Sequence, residues 1–170
     1  MILRTARLVL RPWREHDRDD LARMCADPEV MWDYDRVSTR TESDARLERY
    51  RDAYDRLGFG RMVVIRGSDE LFLGYCGTMP VFEGHPMEPG VEIGWRFNRA
   101  QWGHGYASEA ARAALKDGFE RCGFTEVLSY TSAINKRSEA VMRRIGLTRE
   151  PSKDYRGLNG EPWIVYAGRP

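Results

Sequence analysis

A glycine-punctuated segment, Trp102–Ala107 (WGHGYA), runs directly into a stretch whose small and apolar residues recur at helical spacing. This recurrence predicts a helix over 107–122 with one buried face. The preceding residues 91–97 alternate in polarity, which predicts a strand. A strand, a glycine loop and a helix in this order can hold an anion, because the first N–H groups of a helix lack internal partners and its dipole adds positive charge there.

The rest of the chain alternates between strand-like and helix-like patterns in the order β-α-α-β-β-β-α-β-α-β-β. The second helix follows a capping signal at Thr41-Glu42-Ser43-Asp44 and ends at Gly58. This order predicts a mixed α/β fold with helices covering a central sheet. A chain of 170 residues supports one hydrophobic core, so we expect a single domain over 1–170. The predicted strands are 7–13, 61–66, 71–77, 91–97, 126–131, 148–155 and 163–167, and the helices are 15–27, 45–57, 107–122 and 135–145.

Composition excludes several classes of protein. The 27 basic and 26 acidic residues nearly cancel, so no overall field attracts nucleic acid or a membrane. No apolar run approaches the roughly 18 residues that span a bilayer, and the start of the chain is too charged for a secretory signal. Cys25, Cys76 and Cys122 are scattered, which favours buried thiols over a disulfide framework or a metal site. We therefore expect a cytoplasmic protein without a metal.

Two common classes of nucleotide-binding glycine loop do not match this segment. A nucleoside triphosphate loop requires Lys-Ser or Lys-Thr after its last glycine, and neither follows Gly105. A dinucleotide loop places a third Gly or Ala where this chain has Ser108, and it follows the first strand of its domain.

The segment is similar to the acetyl-coenzyme A loop of the GNAT acetyltransferases, Arg/Gln-x-x-Gly-x-Gly/Ala, with Trp102 at the Arg/Gln position. That substitution and the following Glu109-Ala110 resemble the branch of ribosomal-protein N-terminal acetyltransferases. The resemblance covers essentially the whole chain. Further matching segments are Thr5–Arg11, Glu92–Trp95, Asn135–Ser138 and Arg144–Leu147.

The resemblance implies a mostly antiparallel sheet of about six to seven strands with helices on both faces. It also implies transfer of the acetyl group of acetyl-CoA to a primary amine, either a protein N-terminus or a small molecule, by direct attack without metal or covalent intermediate. Backbone amides of the loop would hold the pyrophosphate, and a strand amide near 93–95 would stabilise the oxyanion. The implied cofactor-binding residues are Ile93, Gly94, Trp95, Trp102, Gly103, His104, Gly105, Tyr106, Ala107, Asn135 and Ser138.

Two side chains are candidates for catalysis. Glu92 lies on the opposite strand face from Ile93, and it either accepts the proton of the amine or forms an ion pair with an arginine. By resemblance, Ser138 donates a hydrogen bond to the leaving thiolate, with Tyr130 and Tyr155 as alternatives. Asn135 caps its helix and by resemblance holds the pantetheine arm, whereas His104 is expected to face solvent. The loop 152–161 is expected to border the acceptor site.

Other functions remain open at this point. A catalytically silent acyl-CoA-binding regulator or a nucleotide-binding module could keep the same loop, while a nucleic-acid binder is disfavoured because basic residues lie among acidic ones. The acceptor amine is unspecified, and the late strands offer an edge for a homodimer. One set of residues either lines a cation pocket or belongs to core and surface: Trp32, Asp33, Tyr34, Asp35, Tyr50 and Tyr54.

Overall fold

The computed structural model describes residues 1–34, 36–157 and 159–170, and these form one sheet with helices on both faces. The helices are α1 (Arg18–Cys25), α2 (Arg40–Leu57), α3 (Tyr106–Glu120) and α4 (Lys136–Arg144). The strands are β1 (Leu3–Arg4), β2 (Leu8–Arg11), β3 (Arg61–Arg66), β4 (Phe72–Pro80), β5 (Val91–Phe97), β6 (Val127–Ser132), β7 (Thr148–Arg149), β8 (Tyr155–Arg156) and β9 (Pro162–Gly168).

The sheet runs in the order β1-β2-β3-β4-β5-β6-β9-β7, with β8 also paired to β9. Every pairing is antiparallel except that of β5 with β6, which is parallel. The predicted fold class is thereby confirmed. None of the helices in the described parts of the chain is long and apolar enough to cross a membrane.

The described residues form nine strands, more than the six to seven that we expected. Residues 148–155, which their pattern predicts as one strand, separate into β7 and β8 around a short 3-10 turn at Pro151–Lys153. Proline at the start of that turn fixes the backbone and cannot donate to a ladder, so the strand stops there. The other addition is β1, whose two residues are too few to give a periodic signal.

Helix α2 begins earlier than its sequence signal suggested. Its N-cap is Thr39, whose Oγ1 accepts the Glu42 N–H at 3.3 Å, while the Glu42 carboxylate accepts the Thr39 N–H at 2.8 Å. This reciprocal pair is a capping box. Thr41 is instead an exposed residue in the first turn, so the expectation that the cap lies at Thr41–Asp44 was wrong by two positions.

The two largest hydrophobic cores of the described residues lie on opposite faces of the sheet, and β5 presents side chains to both faces. Ile93 and Phe97 are buried in the core beneath α3, whereas the core beneath α1 and α2 includes Leu21, Leu47 and Tyr75. Successive strand residues point to opposite faces. Glu92 and Arg96 therefore lie on the α1–α2 face, as the alternation of this strand predicts.

The two parallel strands β5 and β6 separate soon after they meet. Their pairing is limited to Glu92 opposite Leu128. Beyond that point the buried Ser129 hydroxyl donates to the Ile93 carbonyl at 3.0 Å, in place of a main-chain ladder bond. Because main-chain groups of alternate strand residues point to the same edge, Trp95 presents its N–H and C=O to this gap as well.

Candidate active site

The glycine loop forms an anion cradle at the start of α3. Gly103 and Gly105 have φ of +82° and +79°, a left-handed conformation that glycine adopts without a steric penalty. Within the described residues, none of the six N–H groups of residues 103–108 donates a hydrogen bond. A Cβ added at Gly103 would meet nothing within 4 Å. Open space, free donors and the helix dipole together suit a phosphate group.

Trp102 connects this loop to two other parts of the site. Its indole N–H donates to the Phe97 carbonyl at the end of β5 at 2.9 Å. The Cζ atoms of Arg137 and Arg99 lie 4.4 and 4.8 Å from the centre of the Trp102 ring, within cation–π range. Arg137 belongs to the first turn of α4, so the loop, the end of β5 and the start of α4 meet at this indole.

Glu109 holds the other side of the loop in place. Its carboxylate accepts from the Thr5 hydroxyl at 2.6 Å and from the Arg7 N–H and Nε at 2.9 and 2.7 Å. Burial alone would raise the pKa of Glu109, but the bonds from Thr5 and Arg7 outweigh burial and lower it. Arg7 also donates to the carbonyl of His104 at 3.0 Å. The His104 side chain itself is exposed, as expected.

The start of α4 lies next to the loop. The Asn135 side-chain oxygen accepts the Ser138 N–H at 3.1 Å, which confirms Asn135 as the N-cap. Asn135 is buried and Ser138 is half-buried. Because the cap occupies the amide oxygen, contact of Asn135 with a ligand would use its NH₂ group.

Glu92 forms an ion pair with Arg61, one of the two possibilities that its position left open. Both carboxylate oxygens lie on Nη2 of Arg61, at 2.5 and 2.6 Å. Burial opposes the charge of Arg61, but the nearby Glu92 outweighs burial and raises the Arg61 pKa. A Cβ at Gly94 would lie 2.6 Å from Nη2, so only glycine at this position leaves room for the guanidinium. The proposed role of Glu92 as a base is a separate matter and remains a prediction.

Four aromatic residues, which we call the aromatic wall, adjoin Glu92 on the same face of the sheet: His85, Tyr130, Tyr155 and Trp163. The rings of His85 and Tyr130 stack with centres 4.5 Å apart, and those of Tyr155 and Trp163 stack at 5.8 Å. Burial is the main factor that raises the pKa of Tyr130 and Tyr155, and the negative charge of Glu92 adds to it. Both tyrosines are therefore within electrostatic reach of that carboxylate.

Comparison with known proteins identifies the family of this chain. Residues 7–148 match the model of the Acetyltransferase (GNAT) domain family. The chain belongs to the GNAT acetyltransferase family. It is accordingly an enzyme that transfers an acetyl group from acetyl-CoA to an amine.

Relatives and solved structures agree with this assignment. The acetyltransferase is 34% identical over 153 residues to the FsC-acetyl coenzyme A-N(2)-transacetylase of Aspergillus fumigatus, an alignment that covers 86% of this chain and 64% of that protein. An acetyltransferase structure from Agrobacterium tumefaciens str. C58 is 27% identical with a TM-score of 0.85, covering 100% of this chain and 95% of the other.

The resemblance to the ribosomal-protein branch is confirmed at the level of the fold. RimL, a ribosomal L7/L12 alpha-N-protein acetyltransferase solved in complex with coenzyme A, gives a TM-score of 0.77 at 18% identity, with 99% of this chain and 98% of that chain covered.

The aromatic residues near the N-terminus of the acetyltransferase do not form one pocket. Tyr50 is buried in the core beneath α1 and α2, Tyr54 packs against the other core, and Trp32 is exposed. Tyr34 is half exposed beneath the guanidinium of Arg96, whose Cζ lies 4.7 Å from its ring centre. The alternative that assigns these residues to core and surface is therefore correct. Asp35 lies outside the described residues.

Asp33 anchors this segment to the sheet through its ion pair with Arg96 at 2.8 Å. Arg96 also donates to the Val30 carbonyl at 2.5 Å.

Three features of the site escaped sequence reasoning. Arg61 contacts Glu92, and His85 contacts Tyr155, in each case from a distant part of the chain. The Ser129 hydroxyl donates to the Ile93 carbonyl across the gap between β5 and β6. The only available signal was Gly94, a glycine within an alternating strand, which indicates close approach by another group.

Proposed function

We propose that acetyl-CoA binds between the glycine loop and the gap separating β5 from β6, and that a primary amine attacks it from the side of Glu92. The observation that carries this proposal is the set of unoccupied N–H donors of residues 103–108 at the start of α3. Such a cradle suits a pyrophosphate. The gap begins beside it, because Trp102 joins the loop to the end of β5.

In this arrangement the pantetheine arm follows the exposed edge of β5. Main-chain groups of Ile93 and Trp95 point to the gap, and Asn135 caps α4, the helix that lies against the loop. The chain of contacts from Arg137 to Trp102 supports this placement, since it brings α4 against the loop.

The reaction we propose is direct acyl transfer. The amine lone pair forms a bond to the thioester carbon, and the carbonyl electrons move to oxygen, where a strand N–H of residues 93–95 stabilises the charge. Collapse of this intermediate breaks the C–S bond and expels the coenzyme A thiolate, to which Ser138 donates a hydrogen bond. Glu92 takes the surplus amine proton directly or through water.

The acceptor is a primary amine of either a protein N-terminus or a small molecule. The name of the Aspergillus relative, an acetyl coenzyme A-N(2)-transacetylase, supports nitrogen as the acceptor atom. A panel of peptides with different first residues, polyamines, aminoglycosides and amino acids, assayed by coenzyme A release, would test the proposal. Release with at least one class supports it. Tight coenzyme A binding without release on any amine would favour the silent regulator, and competition by ATP or NAD but not coenzyme A would favour a nucleotide-binding module.

We also propose that residues 1–170 form a single domain that associates as a homodimer in the cytoplasm. The two buried free thiols and the half-buried Cys122 suit a reducing compartment, and β7 lies at an edge of the sheet where a second copy could pair. Sedimentation equilibrium over a range of concentrations tests the dimer, and a monomer at all concentrations would exclude it.

A further inference from the structure

We propose that His85 is a positioning residue that commits the Tyr155 hydroxyl to donate into the cleft beside Glu92, where it binds an oxygen atom of the amine acceptor. This inference rests on the proposed function of that cleft as the acceptor site. It assigns roles to His85 and Tyr155, two residues of the aromatic wall that lie close together in the folded sheet.

The tautomer of His85 follows from its two hydrogen bonds. Nδ1 of His85 lies 3.1 Å from the Met87 main-chain nitrogen, which can only donate. Nδ1 must therefore be the unprotonated acceptor, and in the neutral ring the proton is on Nε2. Burial lowers the pKa of His85 against the opposing effect of Glu92, which favours this neutral form.

The tautomer in turn fixes the direction of the Tyr155 proton. Nε2 of His85 lies 3.1 Å from the Tyr155 hydroxyl oxygen. Because Nε2 carries a proton, it donates, and the hydroxyl oxygen accepts. The Tyr155 proton must then point away from His85, toward another acceptor. Among the described residues, His85 is the only hydrogen-bond partner of the Tyr155 hydroxyl.

The surrounding rings hold both partners in place. Tyr130 stacks on His85 with an interplanar angle of 25°, and Trp163 stacks on Tyr155 at 17°. His85 is 7% exposed, whereas Tyr155 is only half-buried. The histidine is thus inside the protein while the tyrosine reaches the surface that a substrate can contact.

The position of this donor suits contact with the acceptor. Leu128 pairs with Glu92 in the sheet, and Tyr130 lies two residues further along the same face. The aromatic wall therefore begins next to Glu92, on the side from which the amine is proposed to attack. This is the face of the sheet opposite the core beneath α3. A donor here binds a carbonyl, hydroxyl or carboxylate oxygen of the molecule whose amine is at Glu92.

Two substitutions of His85 separate its two hydrogen bonds. In His85→Gln the side-chain amide nitrogen can reach the position of Nε2 and still donate to Tyr155. In His85→Asn the shorter side chain keeps an acceptor for the Met87 N–H but loses the donor to Tyr155. Both variants carry a carboxamide, but only His85→Gln keeps the donor to Tyr155 that the proposal requires.

We expect His85→Asn and Tyr155→Phe each to lower kcat/KM for the acceptor by about 10-fold, mainly through KM, because one hydrogen bond is lost. The KM for acetyl-CoA should not change. His85→Gln should retain activity close to that of the wild type. In the double variant His85→Asn/Tyr155→Phe, the loss should equal that of Tyr155→Phe alone, since His85 acts through Tyr155. Equal losses in the Asn and Gln variants, or additive losses in the double variant, would overturn the assignment.

A comparison of acceptors tests the contact itself. Alaninamide carries a carbonyl oxygen beside its amine, and isopropylamine lacks one. The wild type should prefer alaninamide over isopropylamine more strongly than Tyr155→Phe does, and an unchanged ratio would show that Tyr155 does not bind the acceptor. Comparing ratios between enzymes removes the difference in basicity of the two amines.

A measurement on the resting protein keeps this inference separate from the proposed function. Two-bond ¹H–¹⁵N spectra of His85 should show a protonated Nε2 and an unprotonated Nδ1, and the Tyr155→Phe variant should shift the Nε2 signal. A protonated Nδ1 would overturn the proposal even in an active enzyme. If no amine is acetylated but the spectra show the expected tautomer, the proposed function fails while the pairing of His85 with Tyr155 stands.

Discussion

Replacement of Glu92 by glutamine would measure separately what this carboxylate contributes to stability, through its ion pair with Arg61, and to catalysis, as the proposed base. The change keeps the shape and one amide oxygen but removes the negative charge opposite Arg61. The side chains of Arg61 and Glu92 are 10% and 14% exposed, so the guanidinium would remain largely buried without a counter-charge. Removing one partner of a fully buried pair costs about 3–5 kcal/mol of stability. Because glutamine still offers an acceptor and the pair is not fully dry, we expect about 2–3 kcal/mol.

A loss of this size is easily measured by thermal unfolding. For a chain of this length each kcal/mol lowers Tm by about 2–4 °C, so Glu92→Gln should unfold about 4–12 °C below the wild type. If Glu92 also accepts the amine proton, kcat at neutral pH should fall by about 10²–10⁴-fold, measured at a temperature where the variant is fully folded. Binding of acetyl-CoA should be unchanged, because the cradle lies on α3.

Two further variants separate stability from catalysis. Replacing both partners, as in Arg61→Met/Glu92→Leu, should recover much of the lost stability because no unpaired charge remains, yet turnover should stay low. Asp17→Asn weakens another buried pair, that of Asp17 with Arg11 at 2.7 Å, and should lower Tm without changing kcat of the folded enzyme. Wild-type turnover in Glu92→Gln would refute the role as a base, and an unchanged Tm would refute the energetic argument for the ion pair.

Three other outcomes follow from the structure. Gly103→Ala should raise the Kd for coenzyme A by about 10-fold or more, since it narrows the cradle; Gly123→Ala, with φ of +70° and equally open surroundings, should match its loss of stability but bind normally in calorimetric titrations. Thr39→Ala should cost about 1 kcal/mol of unfolding free energy, whereas Thr41→Ala should change it by less than about 0.5 kcal/mol, both measured by urea denaturation. Because burial lowers the pKa of His85 below its ordinary 6.5, the unfolded chain binds a proton there that the folded chain does not. Stability should therefore decline as pH falls below about 6.5, and His85→Gln should remove that part of the slope, while a slope unchanged by the substitution would assign it to other groups.

The part of the site that the sequence predicts is the part that local structure determines. The strand β5, the loop at 102–105 and helix α3 are consecutive in the chain, and turn geometry and helical periodicity suffice to bring them into register. The cap at Asn135 is local in the same sense, and so is the alternation that places Glu92 opposite Ile93. Elements that depend on a few residues were predicted less well: the cap of α2 was misplaced by two positions, and the break between β7 and β8 was not foreseen.

The acceptor side of the site depends instead on contacts between distant segments. Whether Glu92 meets an arginine is decided by the register of β3, β4 and β5, which brings Arg61 across β4 onto the face of β5. Glycine is required at position 94 because the Arg61 guanidinium occupies the space that a Cβ atom of residue 94 would fill. His85 lies in a connection without periodicity, and its partner Tyr155 follows 70 residues later. A pattern within one segment carries no information on such a pairing, because the packing of the whole sheet determines it. The cofactor loop could for this reason be identified from its neighbours in the chain, whereas the groups that face the amine required the three-dimensional structure.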